Sequence, residues 1–331
     1  MNYRTLGQSG LELSVLGLGS LHFGVFLNKE ETKNIVHYAL DGGINFIDTA
    51  PMYGQGQSES FIKEALKGKR EKVILSTKVG LKPLFDTEGN FGVTEVALNA
   101  KNIQQSLDES LTKLGVETID LLQLHSFDKN TPLDETCAVL ETLIKEGKIR
   151  FVGCSNYDDH NLEAVSKTGL GDLLTSVQCH YNLIEQRAKD VLFSQTIENN
   201  MGIIVNRSLA RGILTGKYIN KGNLPKNSRA ALSMRVRKWL SDDTIELTNQ
   251  FKVFVKKYNR SLTELSLAWV LNEESITSVL VGVRNIEQLK ECLKSLSWIL
   301  SRAEIYDIEK IIDYQGQSIK VHSMPEVFLE K

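Results

Sequence analysis

Three ionisable side chains of complementary type end three successive apolar runs of the sequence. Asp48, Lys78 and His125 each close a short run rich in Ile, Leu or Val. Singly, such residues are more commonly turn residues, solvated charges or structural histidines. If the runs are neighbouring parallel strands, which lie ~4.8 Å apart, the three side chains meet at one edge. Their succession therefore predicts a shared site.

Tyr53 completes this set. It lies in a turn-forming stretch, 50–54, that can fold it back over the same edge. A free phenol has a pKa near ~10 and exchanges protons poorly at neutral pH. A nearby Lys78 ammonium would lower that pKa, Asp48 would keep Lys78 charged, and His125 could donate a hydrogen bond to a carbonyl oxygen. The set predicts carbonyl reduction or alcohol oxidation, in which Tyr53 exchanges the proton and a bound nicotinamide the hydride.

The elements that position these residues alternate regularly. Nearly continuous apolar runs, typical of buried parallel strands, precede segments with the spacing of amphipathic helices. Strands are predicted at 15–18, 45–47, 73–76, 121–124, 149–152, 176–179, 203–205 and 278–281. Helices are predicted at 30–40, 58–66, 97–114, 133–145, 161–166, 188–199, 244–258, 262–271 and 286–296. This alternation predicts the α/β class and one (β/α)8 TIM barrel domain over residues 1–331.

Two further features fit a barrel. Residues 3–13 predict an N-terminal β-hairpin that plugs its bottom, and two long loops, about 80–96 and 209–242, follow strands and so lie on the C-terminal face. A doubly wound sheet is the alternative architecture. It needs a G-x-G-x-x-G turn, but His22 stands where the third glycine belongs.

Composition excludes several classes of function. The 39 Lys and Arg nearly balance the 41 Asp and Glu, giving a formal net charge of −2, which disfavours nucleic-acid or membrane partners. Four widely spaced cysteines, and an apolar stretch at 15–27 broken by glycines, predict a cytoplasmic protein without a signal peptide or membrane helix. Scattered histidines without an H-x-x-x-H motif predict no metal site.

Seven segments occur in an order that is highly specific. They are 48–54 (DTAPMYG), 76–78 (STK), 121–125 (LLQLH), 147–156 (GKIRFVGCSN), 178–182 (QCHYN), 212–217 (GILTGK) and 282–289 (GVRNIEQL). Together they resemble the aldo-keto reductase superfamily over essentially the whole chain. The resemblance implies a (β/α)8 barrel and NAD(P)(H) bound in extended form without a Rossmann domain. It also implies a catalytic tetrad of Asp48, Tyr53, Lys78 and His125.

The same resemblance implies the cofactor contacts. Ser155, Asn156 and Gln178 would hold the nicotinamide carboxamide, since Asn and Gln offer both the donor and the acceptor that an amide requires. Gly212, Leu214 and Lys217 would lie along the pyrophosphate. The other implied cofactor-binding residues are Arg207, Ser208, Gly282, Arg284 and Gln288. NADP(H) is favoured over NAD(H).

Three positions depart from the family pattern. Residues 206–212 appear one residue short of an Arg-Ser-Pro pattern, so either Asn206 or Arg207 faces the nicotinamide, and Arg207 is preferred. Cys292 replaces an Asn that often contacts adenine. Gln288 replaces an Arg that commonly holds the 2′-phosphate of NADP, and Arg284 could supply that charge instead.

The loop after the seventh strand is basic and is interpreted either as a lid over the cofactor phosphates or as a solvated surface. Its cations are Lys217, Lys221, Lys226, Arg229, Arg235, Arg237 and Lys238. Four other residues are predicted either to wall an apolar substrate pocket or simply to pack. They are Phe23, Met52, Phe127 and Trp239.

These features predict NADPH-dependent reduction of an aldehyde or ketone, such as a keto-sugar or a natural-product intermediate. The partner is then a small-molecule carbonyl compound; the sequence leaves its identity and the oligomeric state open. A non-enzymatic NADP(H)-sensing subunit is the alternative, because potassium-channel β subunits share the tetrad. A metal-dependent barrel isomerase or aldolase lacks ligands in this sequence.

Overall fold

Eight parallel strands close into a barrel surrounded by helices in the computed structural model, which describes residues 1–85, 91–94, 96–220 and 222–316. In chain order the strands are β1 (Tyr3–Thr5), β2 (Glu12–Ser14), β3 (Leu16–Gly19), β4 (Phe46–Asp48), β5 (Ile74–Val79), β6 (Pro83–Phe85), β7 (Phe91–Val93), β8 (Ile119–Leu124), β9 (Ile149–Ser155), β10 (Leu174–His180), β11 (Gly202–Asn206) and β12 (Ile276–Val281). The barrel order is β3-β4-β5-β8-β9-β10-β11-β12. Pairing of β12 with β3 closes it. The predicted (β/α)8 architecture is confirmed, and a doubly wound sheet is excluded.

The helices cover the outside of the barrel. They are α1 (Lys29–Asp41), α2 (Ser58–Ala65), α3 (Ala100–Leu114), α4 (Leu133–Lys145), α5 (Asp159–Ser166), α6 (Gly169–Leu173), α7 (Ser194–Glu198), α8 (Arg229–Leu232), α9 (Met234–Lys238), α10 (Asp242–Lys256), α11 (Leu262–Leu271), α12 (Ile286–Lys294) and α13 (Arg302–Gly316). All nine predicted helical segments contain helix. Residues 189–193, inside the segment predicted at 188–199, form a π-helical turn that precedes α7.

Local capping sets the ends of the helices more closely than apolar spacing does. α3 begins at Ala100 rather than at the predicted residue 97, because the Asn99 side chain accepts the N–H of Asn102 at 3.0 Å. It ends where Gly115 adopts φ 65°, a left-handed conformation that glycine favours. The sequence missed α6, α8, α9, α13 and the antiparallel β6–β7 pair.

The N-terminal hairpin closes the bottom of the barrel, as predicted. β1 pairs with β2 in antiparallel fashion, and its turn packs between the first residues of β10 and β11. One apolar cluster joins the hairpin to the barrel interior. Its members are Leu6, Leu11, Leu13, Phe46, Leu121, Ile204 and Leu280. Apolar burial at this end therefore fixes the hairpin to the strands.

Candidate active site

A buried ion pair lies at the C-terminal end of two neighbouring strands. Asp48 ends β4 and Lys78 lies near the end of β5, which pairs with β4. Lys78 Nζ donates to Asp48 Oδ2 at 2.6 Å and to the Thr49 carbonyl at 3.0 Å, and both charged side chains are buried. Burial alone would lower the pKa of Lys78, but Asp48 and Tyr53 outweigh it and raise that pKa. Lys78 therefore stays charged at neutral pH.

Two glutamines hold the other oxygen of Asp48. The side-chain amides of Gln123 and Gln178 donate to Asp48 Oδ1 at 2.8 and 3.1 Å. Gln123 also donates to Ser76 Oγ at 2.7 Å. Sequence reasoning missed Gln123, although a polar side chain inside the apolar run of β8 is a signal for a barrel-interior group. Both oxygens of the buried carboxylate are thus satisfied.

Tyr53 lies over this pair. Its ring centroid is 4.8 Å from Lys78 Nζ and 6.0 Å from the ring centroid of His125, which it meets edge to face. The turn that places it requires glycine next: Gly54 has φ 61°, and a Cβ there would lie 1.8 Å from the Phe23 carbonyl oxygen. The structure therefore brings the four predicted tetrad residues together.

The protonation states of Tyr53 and His125 follow from their burial. Burial raises the pKa of the Tyr53 phenol; Lys78 opposes this, as expected from the sequence, but does not overcome it. The expected net lowering of that pKa is therefore wrong. Burial, with a smaller contribution from Lys78, holds the pKa of His125 well below its ordinary value. At neutral pH the site contains a protonated phenol and a neutral imidazole.

Amide side chains from β10 and β11 adjoin the tetrad at the C-terminal end of the barrel. Gln178 Oε1 accepts from Asn206 Nδ2 at 3.0 Å and from Ser155 Oγ at 3.4 Å. Asn156 donates instead to the His125 carbonyl at 2.7 Å. Of the two candidates after β11, Asn206 lies beside Gln178, whereas the Arg207 guanidinium lies 3.1 Å from His180 Nδ1. Asn206 thus contacts a predicted carboxamide-binding residue, whereas Arg207, the preferred candidate, contacts His180.

Three cations act on the ionisation of His22, which lies beside Gly282 just after β12. Burial first, then the charges of Arg229, Arg284 and Lys217, lower the pKa of His22 to about 3. Burial and the charges of Arg284 and Arg229 also lower the pKa of Lys217. We call Lys217, Arg229 and Arg284 the phosphate-side cluster. Arg229 was predicted only as one member of the basic loop.

The other predicted cofactor residues lie around this cluster. A Cβ on Gly212 would lie 2.9 Å from Lys217 Nζ, and one on Gly282 would lie 3.7 Å from His22 Cε1. Gln288 accepts the N–H of Arg284 at 2.8 Å. Two predicted contacts are buried: Leu214, which is completely buried, and Ser208, whose hydroxyl donates to the Leu280 carbonyl at 3.1 Å.

The four predicted pocket residues have different neighbours in the structure. Phe23 is completely buried in the main core, and Phe127 packs edge to face on Tyr157 with centroids 5.4 Å apart. Met52 packs with Ala50 and Leu81 beneath Tyr53. Trp239 lies under the guanidinium of Arg211, with Cζ 5.3 Å from the ring centroid. Met52 and Trp239 thus pack in different apolar clusters.

Comparison with known proteins agrees with this geometry. Residues 15–313 match the aldo/keto reductase family. The chain belongs to the aldo/keto reductase family. Such enzymes reduce carbonyl groups with a nicotinamide cofactor, and membership supports that general activity here.

Three relatives illustrate the range of the family. An aldo-keto reductase of Bacillus subtilis (strain 168) is 30% identical, covering 95% of this chain and 94% of that protein. An L-glyceraldehyde 3-phosphate reductase of Escherichia coli O157:H7 is 32% identical, with coverages of 94% and 92%. A probable voltage-gated potassium channel subunit beta of Oryza sativa subsp. japonica is also 32% identical, with coverages of 94% and 97%.

Two solved structures share the fold across nearly the whole chain. The glycerol dehydrogenase of Gluconobacter oxydans superposes with a TM-score of 0.83 at 27% identity, covering 99% of each chain. The holo form of an aldo-keto reductase from Bacillus halodurans gives 0.75 at 29% identity, covering 94% of this chain and 96% of that one.

Among the described residues, no group of three or more His, Cys, Asp or Glu side chains is placed to hold a metal ion. Within the same residues, no helix combines the length and the apolar character needed to cross a bilayer.

Proposed function

We propose that this chain reduces an aldehyde or ketone to an alcohol with NADPH, and that Tyr53 gives the proton to the developing alkoxide. The buried Lys78–Asp48 pair beneath a protonated Tyr53 carries this proposal. Lys78 can stabilise the phenolate that remains after proton transfer, because its charge lies directly below the ring. Asp48 and its two glutamines hold Lys78 in position.

His125 has a separate role in the proposal. Its imidazole is neutral and faces the Tyr53 ring edge to face. A neutral imidazole can donate one hydrogen bond to the substrate carbonyl oxygen, on the same side as the Tyr53 hydroxyl. The two donors would orient the carbonyl and polarise it before the proton moves.

The residues present fit a nicotinamide dinucleotide. Gln178, Asn206 and Ser155 offer the donors and acceptors that a carboxamide requires. The phosphate-side cluster gathers three cations that can bind phosphate oxygens. Burial first, and then the charges of Arg284 and Arg229, lower the pKa of Lys217. Bound there, the cofactor supplies the hydride. Three cations favour NADPH, with its additional phosphate, over NADH, which is the alternative cofactor.

The decisive variant removes only the phenolic oxygen. In Tyr53→Phe, kcat for NADPH-dependent carbonyl reduction should fall roughly 10³-fold, because the general acid is lost. The dissociation constant for NADPH should hardly change. Turnover is measured by the absorbance of reduced nicotinamide over a panel of aldehydes, ketones and keto-sugars, with NADPH and NADH in parallel. Cofactor binding is measured by fluorescence.

Tyr306→Phe is the matched control, since Tyr306 is exposed on α13. It should behave as wild type. Full turnover by Tyr53→Phe would refute the proposed proton donor. NADPH binding without repeated turnover on any carbonyl would instead favour the cofactor-sensing subunit.

A further inference from the structure

A buried hydrogen bond joins α2 to the strand that carries Lys78. Successive strand residues face opposite sides of a sheet, so Thr77 faces the outside of the barrel while Lys78 faces the interior. There Thr77 Oγ1 donates to Glu59 Oε1, on α2, at 2.8 Å. Both side chains are buried. The outer face of β5 is thus held by a polar contact directly beside Lys78.

A second contact joins α2 to the residue that follows Asp48. The hydroxyl groups of Ser58 and Thr49 lie 3.0 Å apart and share a hydrogen bond. The Thr49 carbonyl also accepts from Lys78 Nζ at 3.0 Å. Both hydroxyl groups belong to completely buried residues. Ser58 therefore contacts the residue that adjoins both members of the buried ion pair.

Ser20 extends these contacts to the end of a third strand. Ser58 Oγ lies 2.9 Å from Ser20 Oγ and 3.2 Å from the Ser20 carbonyl oxygen. Ser20 directly follows β3, and its N–H donates to the Asp48 carbonyl at 3.0 Å. The first two residues of α2 thus contact three neighbouring strand ends. We call these five buried residues the α2 anchor: Ser20, Thr49, Ser58, Glu59 and Thr77.

The turn that carries Tyr53 leads directly into the same helix. Its residues, 53–56, form a 3-10 turn, and α2 begins at Ser58. The N–H of Gln57 donates to the Gly54 carbonyl at 3.1 Å, so the turn and the helix are joined by a backbone hydrogen bond. The α2 anchor therefore connects the Tyr53 turn to the strands that carry the ion pair.

A buried carboxyl group is a costly way to hold a helix on a barrel. Burial raises the pKa of Glu59, although the hydrogen bond from Thr77 opposes this. α5, by contrast, packs through the apolar side chains of Leu162 and Val165. Apolar contact is not directional, whereas a hydrogen bond requires a narrow range of distance and angle. The α2 anchor thus restricts position more closely than apolar packing does.

We propose that Ser58 and Glu59 are positioning residues, which fix Tyr53 over Lys78 by holding α2 on the strands of the ion pair. This inference rests on the proposed carbonyl reduction. The two residues act through Thr49 and Thr77 and take no part in the proton transfer itself. Proton transfer depends on the Lys78 charge beneath the phenol, and a misplacement of about 1 Å can cost roughly 10²-fold in rate.

The test removes one hydrogen bond and keeps the size of the side chain. Thr77→Val leaves Glu59 without this donor, so kcat per NADPH-binding site should fall by at least roughly 10-fold. KM and the dissociation constant for NADPH should hardly change. Thr77→Ser keeps the hydroxyl and should retain most of the activity. NADPH-binding sites are counted by fluorescence titration, because unfolded protein would lower kcat and the number of sites together.

Two substitutions of Glu59 test the other side of the same bond. Glu59→Gln keeps an acceptor oxygen, and burial already favours the uncharged carboxyl group, so this variant should retain most of the wild-type kcat. Glu59→Leu has no acceptor and should resemble Thr77→Val. Thr175→Val is the matched control: the buried Thr175 hydroxyl donates to the Val152 carbonyl at 2.9 Å near the start of β10, and its loss should leave kcat per site unchanged.

A second readout reports on the Tyr53 phenol directly. Burial raises its pKa and the Lys78 charge lowers it, so displacement of Lys78 should raise it further. In the reverse reaction, alcohol oxidation with NADP⁺, the phenolate accepts the proton of the alcohol. The kcat–pH profile should therefore shift to higher pH in Thr77→Val but not in Thr175→Val. The other charges acting on the phenol, Asp48 and Arg207, are the same in both variants.

The outcomes separate this inference from the proposed function. Wild-type kcat per NADPH-binding site in Thr77→Val and Glu59→Leu, or an equal loss in Thr175→Val, would overturn the inference while carbonyl reduction stands. An unshifted pH profile in Thr77→Val would also overturn it. If the wild-type protein binds NADPH but reduces nothing in the panel of aldehydes, ketones and keto-sugars, both proposals fall.

Discussion

The two ends of the barrel interior are built from opposite chemistry. At the N-terminal end, Leu6, Phe46 and Leu121 belong to an apolar cluster with the hairpin. At the C-terminal end, Asp48 and Lys78 are just as deeply buried, but they are charged and fully hydrogen-bonded. Burial of apolar surface stabilises the fold, whereas burial of charges costs free energy unless each has its partner. The comparison indicates that one end mainly holds the barrel together and the other positions reactive groups.

The largest effect should come from breaking the charged end. Lys78→Met leaves Asp48 buried without its counter-ion, which should lower the free energy of unfolding by about 3–5 kcal/mol. It also removes the charge beneath Tyr53, so kcat for carbonyl reduction should fall by at least roughly 10²-fold. Both are measurable by denaturant unfolding and steady-state kinetics.

A matched control is available on the surface. Lys67→Met removes the same charge from an exposed pair with Glu64, whose N–O distance is 2.7 Å. Neither stability nor activity should change measurably. Wild-type activity in Lys78→Met would contradict the assignment of chemistry to this end of the barrel.

The apolar end should respond in stability alone. Leu6→Ala removes a completely buried side chain and should cost about 2–5 kcal/mol. For protein that remains folded, kcat and KM should match wild type, since Leu6 lies at the other end of the barrel. Leu232→Ala, at an exposed leucine on α8, should change neither property. A specific loss of kcat in Leu6→Ala would show that the two ends are coupled.

The smallest effect for each step of change should be the pH dependence of the C-terminal end, at about 1.4 kcal/mol for one histidine and one pH unit. His22 and His180 are buried there with pKa values lowered to about 3 and about 4, and the pKa of His125 is lowered as well. In the unfolded chain, histidines bind protons below about pH 6.5. The folded protein does not bind them until lower pH, so the free energy of unfolding should fall as the pH decreases below about 6.5.

Denaturant unfolding at a series of pH values checks this slope. Each histidine that takes up a proton only on unfolding contributes about 1.4 kcal/mol per pH unit. His22→Asn removes one such group and should make the slope shallower. The same slope in wild type and variant would show that His22 does not titrate in this way.

The barrel, and the meeting of Asp48, Tyr53, Lys78 and His125 at its C-terminal end, could be predicted because each depends on short-range signals. Strand ends are visible as polar residues after apolar runs, and Asp48, Lys78 and His125 each mark one. Gln123 was missed because its role depends on which neighbours face it across the barrel interior. The pKa of Tyr53 was expected to fall because Lys78 is nearby, but the extent of burial, which no local pattern encodes, reverses the shift.

The loop after β11 shows where sequence reasoning stops. Its basic residues could be counted, but the sequence could not assign Arg229 to the phosphate-side cluster and Arg211 to a position over the Trp239 ring. The positions of these side chains depend on the left-handed backbone at Arg207 and Arg211. Arginine rarely adopts this conformation, so the sequence does not predict it. Asn206 and Arg207 could not be distinguished for the same reason.

The hairpin also constrains the order of folding. The Arg4 guanidinium donates to backbone carbonyls of Leu271, Glu273 and Ile276, and β3 pairs with β12 to close the barrel. These contacts join residues that are more than 250 positions apart. Contacts of such separation form slowly, because a long loop must close first. During synthesis, the hairpin therefore cannot complete these contacts until residues 271–281 have been made.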